Sequence, residues 1–400
     1  LRFKIKFFKH LGPGSLVAAA FIGPGTVTVC SVAGAGFGFG LLWALALSVV
    51  ATLVLQEMAA RLGLITQNGL AENIRVQFQN PLLRFLAIFL LFSAIVIGNA
   101  AYEAGNIRGA VLGFQSASGL APNAFYPIGL GLLVMLLLFS GSYKFLEKLM
   151  VTLVILMSLS FVLTAILTRP SLVDVLKGMF VPSFPEGSML TIIGLVGTTT
   201  VPYNLFLHAA LVKERWKNGA DLKAVRKDSF RSILLGGLVS VSIVIAAAAS
   251  QLQEVTKVTD LAEGLTPLYG SLARYFLGFG LFAAGITSSM TAPLAAAFVA
   301  RGCFGWKADM KDYRFRSVWA FIVLSGMLFA SLEINPIELI TFAQVANGLL
   351  LPVVAVFLWW VVNNSRLMGI HKNTLLQNVL TFLIILVALL LGLRSIFKVF

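Results

Sequence analysis

The sequence predicts an all-α membrane protein with about eleven transmembrane helices, forming a single domain over residues 1–400. Three observations carry that expectation. Hydrophobic residues make up 58% of the chain and charged residues only 12%, against about a quarter charged in soluble domains, and the mean hydropathy is +0.93. Charge-free stretches recur at the length a bilayer-spanning helix needs, roughly 20 residues. Two of the expected helices are interrupted, five spans apart, by proline-containing motifs.

Each element follows from where the charges stop, because in lipid a helix has to satisfy its own backbone polar groups. Residues 11–56 carry no charge and hold two spans, divided at the glycine-rich AGAGFGFG of residues 33–40. Uncharged stretches at 85–102, 109–143, 149–168, 187–212, 232–253, 275–300, 317–331, 339–365 and 373–393 supply the other nine. Within 109–143 the span is expected near 127–140, after a loop, and the short stretch from Ser317 needs its flanks to reach across.

The formal charge of +14 comes from 30 Lys+Arg against 16 Asp+Glu. With the N-terminus placed in the cytoplasm, 23 of the basic residues fall on the inner side. They are Arg2, Lys4, Lys6, Lys9, Arg61, Arg75, Arg84, Lys144, Lys148, Arg366, Lys372 and those of the runs 213–231 and 301–316. The outer side keeps 7: Arg108, Arg169, Lys177, Lys257, Arg274, Arg394 and Lys398. This positive-inside bias accounts for the basic balance without a nucleic-acid partner, which would need a basic face on a folded domain. The expected setting is a multi-pass protein of a plasma membrane or bacterial inner membrane, with the lipid bilayer as its partner; the basic loop 213–231 suits anionic lipid. No secretory signal is read, because the first apolar stretch is too long and lacks a cleavage site. Two cysteines, Cys30 and Cys303, exclude a disulfide framework, and His10, His208 and His371 are too scattered for a metal cluster.

The interruptions are GPGT at 23–26 in the first span and TTTVPYN at 198–204 in the sixth. Proline removes a helix hydrogen bond, and glycine permits non-helical backbone. Inside a membrane such breaks persist where they line a polar cavity or are buried in protein. Paired breaks in corresponding places point to an inverted-repeat transporter with its site near the midplane. The repeats are expected at 11–168 and 187–365, with 373–393 as an accessory helix.

With these breaks the chain resembles the NRAMP family of proton-coupled divalent metal transporters. The resemblance runs through GPGSLVAAAFIGPGT, LLW, RLGLITQNGLAENIR, VPSFPEG, VPYNLFLHAALV, GITSSMTAP and AQVANGLLLP, in order. It implies the LeuT-like fold, a 5+5 inverted repeat with helices 1 and 6 broken, alternating access and proton coupling. The departures fall at the family's functional positions. Its Asp-Pro-Gly-Asn signature, whose carboxylate and amide bind the metal, is matched here by Gly23, Pro24, Gly25 and Thr26. Its sixth-helix methionine is matched by Val201, and the histidine after the proline by Tyr203, while His208 persists. The acid-x-x-Glu pattern of its third helix reads Ala100, Ala101, Tyr102, Glu103.

The candidate substrate-binding residues are therefore Gly23, Gly25, Thr26, Thr198, Thr199, Thr200, Tyr203 and Asn204, with Gln344 and Asn347 from the tenth span. None is anionic, whereas manganese, iron, magnesium and calcium sites use carboxylates or strong donors. The second halves of the broken helices present partly positive N-termini, and a hydroxyl-lined helix N-terminus suits an anion. A small anion such as bicarbonate is the leading expectation for the cargo, a small carboxylate fitting the same chemistry. The alternative is a divalent metal cation, magnesium or manganese, carried with altered selectivity. No cofactor or resident metal is expected. No HExxH motif or serine-histidine arrangement stands near the breaks, so an enzyme is not expected, and a binding-only sensor lacks a large soluble domain to pass on a signal.

Several residues keep two readings. Thr198, Thr199 and Thr200 either face cargo or bond back to their own helix carbonyls. Tyr203 either faces cargo or packs at the kink. Glu103, at the end of its charge-free stretch, and His208 are the candidates for proton coupling; Glu103 could instead pair with Arg108, and His208 could make a satisfied interior hydrogen bond. Glu57 reads as a paired structural residue, Ser288, Ser289 and Thr291 as helix packing, and Trp359 and Trp360 as interface anchors.

Overall fold

The computed structural model describes residues 12–140, 143–216, 221–250, 255, 260, 262, 265–307, 310–332 and 334–399. The basic residues Arg2, Lys4, Lys6 and Lys9, His10 and the outer Lys257 lie outside the described residues. The described chain is helical, in the order α1 (Pro13–Phe21), α2 (Pro24–Phe37), α3 (Leu42–Thr66), α4 (Leu70–Gln77), α5 (Pro81–Ser118), α6 (Phe125–Phe139), α7 (Tyr143–Leu167), α8 (Leu172–Phe180), α9 (Met189–Thr199), α10 (Pro202–Arg215), α11 (Leu222–Ala248), α12 (Ala273–Phe304), α13 (Tyr313–Ala330), α14 (Pro336–Val362) and α15 (Leu375–Val399). Among the described residues, seven segments are long and apolar enough to cross a membrane, the pair α9 and α10 counting as one. Phe125–Phe139 and Ser158–Leu167 are shorter apolar helices.

Local chemistry sets the helix ends. The Asn80 side chain accepts hydrogen bonds from the N–H groups of Leu82 and Leu83, with Pro81 in the first turn, and α5 stops at Gly119 with φ +71; this is the expected asymmetry of polar cap, early proline and terminal glycine. Asp312 caps α13 through the Arg314 N–H at 2.8 Å. That cap lets the helix start at Tyr313 and reach 18 residues, drawing on the flank before Ser317.

The core is built around α5 and α12, whose contact depends on small residues. A Cβ on Gly113 would run into the Phe282 backbone nitrogen, and one on Gly285 into Ala110. In a bilayer, where hydrophobic association between helices is weak, such close approach supplies the packing energy. Large apolar side chains on the opposite faces are exposed, including Leu82, Phe85, Phe89, Leu132, Leu136, Phe382 and Leu390. They form the lipid-facing surface.

The first charge-free stretch divides within residues 33–40, where it is expected to: α2 continues through Phe37 and the turn comes at Gly38 with φ +56. One boundary differs from the expectation. The stretches read as 85–102 and the start of 109–143 are one helix, α5, of 38 residues. Glu103 therefore lies in mid-helix and fully buried instead of at a span's end. A charge marks a membrane edge only when it is solvated, and these are held by protein: Arg108 donates to the Ala330 carbonyl at 3.1 Å, so it does not pair with Glu103.

Candidate functional site

Both interruptions are true breaks. α1 ends at Phe21, Gly23 is extended (φ −117, ψ −173), and α2 restarts at Pro24. α9 ends at Thr199, Val201 is extended (φ −72, ψ 121), and α10 restarts at Pro202. Proline suits both restarts because the first N–H of a helix has no partner within it. The Thr26 hydroxyl donates back across the break to the Phe21 carbonyl, which leaves its oxygen to accept from Thr198 at 2.8 Å. One hydroxyl chain thus joins the two broken helices.

The threonine triplet divides by role. Thr198 makes that bridge. Thr199 donates to its own helix at the Leu195 carbonyl, 3.0 Å away, which is the back-bonding alternative. Thr200 donates to the Ser48 carbonyl at 3.1 Å and lies 2.7 Å from the Thr52 hydroxyl, fastening the second break to α3.

Among the described residues, half of the buried side-chain polar atoms without partners belong to Tyr102, Tyr203, Asn204, Ser288, Gln344 and Asn347, on the broken helix α10 and the helices beside the breaks. A Cβ on Gly23 would meet the Ser288 hydroxyl of α12, and one on Gly25 the Gln344 amide nitrogen of α14. Side chains of two other helices thus fill the notches left by the glycines. Tyr102 of α5 meets Tyr203 of α10 edge to face, with ring centroids 5.4 Å apart. The Tyr102 hydroxyl comes within interaction range of Tyr203, Ser288 and Gln344, yet it is aligned for a hydrogen bond with none of them. The hydroxyls of Tyr102, Tyr203 and Ser288, both amide atoms of Asn204, Gln344 Oε1 and Asn347 Nδ2 are all buried without a hydrogen-bond partner. Buried polar atoms are almost always paired, so this set has the character of a binding site. Every one of these residues is at most 2% exposed.

Tyr102 and Ser288 were not expected at the site. The available signals were a polar aromatic inside an apolar span and hydroxyls on a helix facing the paired glycines. Only the fold shows that they converge.

The coupling candidates separate. His208 has both ring nitrogens engaged, Nδ1 with Gln56 Oε1 at 2.9 Å and Nε2 with the Ser229 hydroxyl at 3.3 Å, which matches the satisfied-interior reading. Glu103 accepts a weak bond from Asn106 Nδ2 at 3.4 Å and has the Ser289 hydroxyl in range, but its Oε1 is aligned for a hydrogen bond with neither. Glu57 is paired as expected, with Arg61 at 3.0 Å and Arg226 at 2.8 Å. Among the described residues, no three of His, Cys, Asp and Glu gather where they could hold a metal ion.

A family model described as "Natural resistance-associated macrophage protein-like" matches residues 14–398. The chain is 27% identical over 398 residues to the divalent metal cation transporter MntH of Bacillus subtilis, covering 95% of this chain and 91% of that one. It is 28% identical to a metal transporter nramp1 homolog of Dictyostelium discoideum over 386 residues, 92% of this chain and 70% of the relative. It spans 64% of the length of a natural resistance-associated macrophage protein 2 homolog from the same organism. Among solved structures, an Eremococcus coleocola manganese transporter superposes with a TM-score of 0.76 at 22% identity, covering 99% of this chain and 88% of that one. Mhp1, a nucleobase-cation-symport-1 family transporter, superposes with a TM-score of 0.63 at 16% identity, covering 98% and 93%.

Proposed function

Because this chain belongs to the Nramp family of multi-pass membrane transporters and has their LeuT-like fold, we propose that it is a secondary transporter that moves a small inorganic ion by alternating access. The bundle holding α1, α2, α9 and α10 rocks against a scaffold that includes α5 and α12, and cargo sits between the breaks. The two five-span repeats, 11–168 and 187–365, each contribute one broken helix to the bundle and one helix, α5 or α12, to the scaffold. The N-terminus faces the cytoplasm, a placement supported by the 23 inner and 7 outer basic residues.

For the cargo, the site supports a small anion best, with bicarbonate the specific candidate. The observation that carries this is the neutral, donor-rich set of unpartnered groups at the breaks, with Gly23 where the family has its metal-binding aspartate. Dehydrating a divalent ion is costly unless charged ligands replace its water, and no carboxylate occupies the break itself. The second reading is a divalent cation such as manganese or magnesium. It is favoured by the names of the relatives, which are metal transporters, and by Glu103, a fully buried carboxyl on α5 next in sequence to Tyr102. Reconstitution into liposomes decides between them. Uptake of radiolabelled bicarbonate above protein-free liposomes, without manganese or magnesium uptake, is the expected result; metal uptake without bicarbonate flux gives the site to the cation.

A further inference from the structure

We propose that Tyr102, Tyr203 and Ser288 form the seat of the cargo, and that this seat selects a small oxyanion bearing its own O–H, the class to which bicarbonate belongs. The inference rests on the anion reading above and adds to it the residues and the selectivity.

The three hydroxyls come from three helices, α5, α10 and α12. Tyr102 and Tyr203 meet edge to face with ring centroids 5.4 Å apart, and a Cβ on Gly23 would press on the Ser288 hydroxyl and lie 3.7 Å from the Tyr102 hydroxyl. All three are buried and none is aligned for a hydrogen bond, although the Thr291 hydroxyl is in range of Tyr203. A hydroxyl in this condition has a proton to give, and a bond to a charged acceptor is roughly twice as strong as one between neutral groups. The start of α2 adds the Gly25 N–H and the positive end of its dipole. Three protein hydroxyls and a helix end are a donor set for oxyanion oxygens.

The acceptors narrow the class. Gln344 Oε1 and Asn204 Oδ1 are also unpartnered. Turning an amide over exchanges its donor and acceptor ends but leaves one of each. Nitrate or chloride would draw on the donors and offer the amide oxygens no proton. An oxyanion that keeps an O–H can accept from the hydroxyls and donate to an amide oxygen, so among small anions that class is the one that serves both kinds of group. The seat also depends on Gly23, since even a methyl group there would press on Ser288.

The test is calorimetric titration of the full chain in lipid nanodiscs with sodium bicarbonate, sodium nitrate and manganese chloride in turn. Bicarbonate is expected to bind the wild-type protein at least tenfold more tightly than nitrate. Tyr102→Phe, Tyr203→Phe and Ser288→Ala should each weaken bicarbonate binding about tenfold or more, the range for a hydrogen bond to a charged group. Ser242→Ala, which removes only a hydroxyl bonded to its own helix at Leu238, should leave binding unchanged. The phenylalanine variants keep the ring packing, and melting curves check that each variant is folded; if either fails, Gly23→Ala tests the same seat by crowding Ser288 and should also weaken binding. Wild-type bicarbonate binding that all these variants retain would overturn the seat while leaving the anion reading standing. Nitrate binding as tight as bicarbonate would overturn the selectivity alone. Manganese binding with no bicarbonate binding would overturn both.

Discussion

Arg61 and Glu103 are both fully buried ionisable side chains, and their surroundings give them opposite meanings. Arg61 donates to Glu57, to the His371 carbonyl and to Asn373 Oδ1 at 2.7 Å, so its charge is matched on several sides. Breaking one member of such an arrangement leaves the others buried and unpaired. Arg61→Met is expected to destabilise the protein by about 3 kcal/mol, read as a clear fall in melting temperature. Glu103 is only half satisfied, the condition in which an intramembrane acid is functional by default. Glu103→Gln should leave bicarbonate binding within about threefold of wild type, because it removes no donor from the hydroxyl seat; titration showing lost manganese binding in the same variant would support the cation instead. In the sequence, Glu57 and Glu103 both looked like acids at the ends of spans. The pairings of Glu57 with Arg61 and of Glu103 with Asn106 have i,i+4 and i,i+3 spacings that sequence can suggest, whereas Arg226 reaches Glu57 from a distant helix.

At the scale of elements, the start of α1 is held from outside its own helix. Asp228 of α11 accepts from the Gly12 N–H at 3.1 Å and the Gly14 N–H at 2.8 Å, and a Cβ on either glycine would strike the carboxylate. A helix leaves its first N–H groups unpaired, and here a distant carboxylate caps them and pins the first half-helix to α11. Asp228→Ala is expected to release that end, raising amide hydrogen exchange across residues 13–21 about tenfold or more relative to α12. Unchanged exchange would show that packing alone holds α1. The breaks, the helical class and most spans were legible because apolar length and proline are local signals. The full length of α5 was not, since Glu103 and Arg108 are sheltered by α12 and α13, and shelter is a tertiary property. The site was legible where it lies on the broken helices and hidden where α5 and α12 contribute, for the same reason.

For the whole molecule, the charge distribution predicts which side each loop faces. With the native thiols Cys30 and Cys303 buried, Ser171→Cys before α8 should react with a membrane-impermeant maleimide added to intact cells, and Ser365→Cys after α14 should not; the reverse pattern inverts the orientation. The cytoplasmic face by this placement also carries a pH-dependent tie between α4 and α10. Burial alone would lift the Glu72 carboxyl, but hydrogen bonds from Lys213 and the Gly69 N–H, with the charges of Lys213 and Arg301, hold it below its ordinary value of 4.5. A lowered folded-state value means the tie is fully present above the ordinary value and is lost as pH falls through the folded one. Glu72→Gln should therefore cost about 1 kcal/mol at neutral pH, and its melting temperature should converge with wild type as the solution is acidified below that range. Every residue of the proposed seat is sealed from solvent, and that has a kinetic meaning. Cargo held there cannot escape by simple dissociation; its residence time is set by how often the protein opens, a microsecond-to-second motion. Tightly and weakly held ions would then leave with the same rate constant, and affinity would show itself only in how often the closed state forms around each.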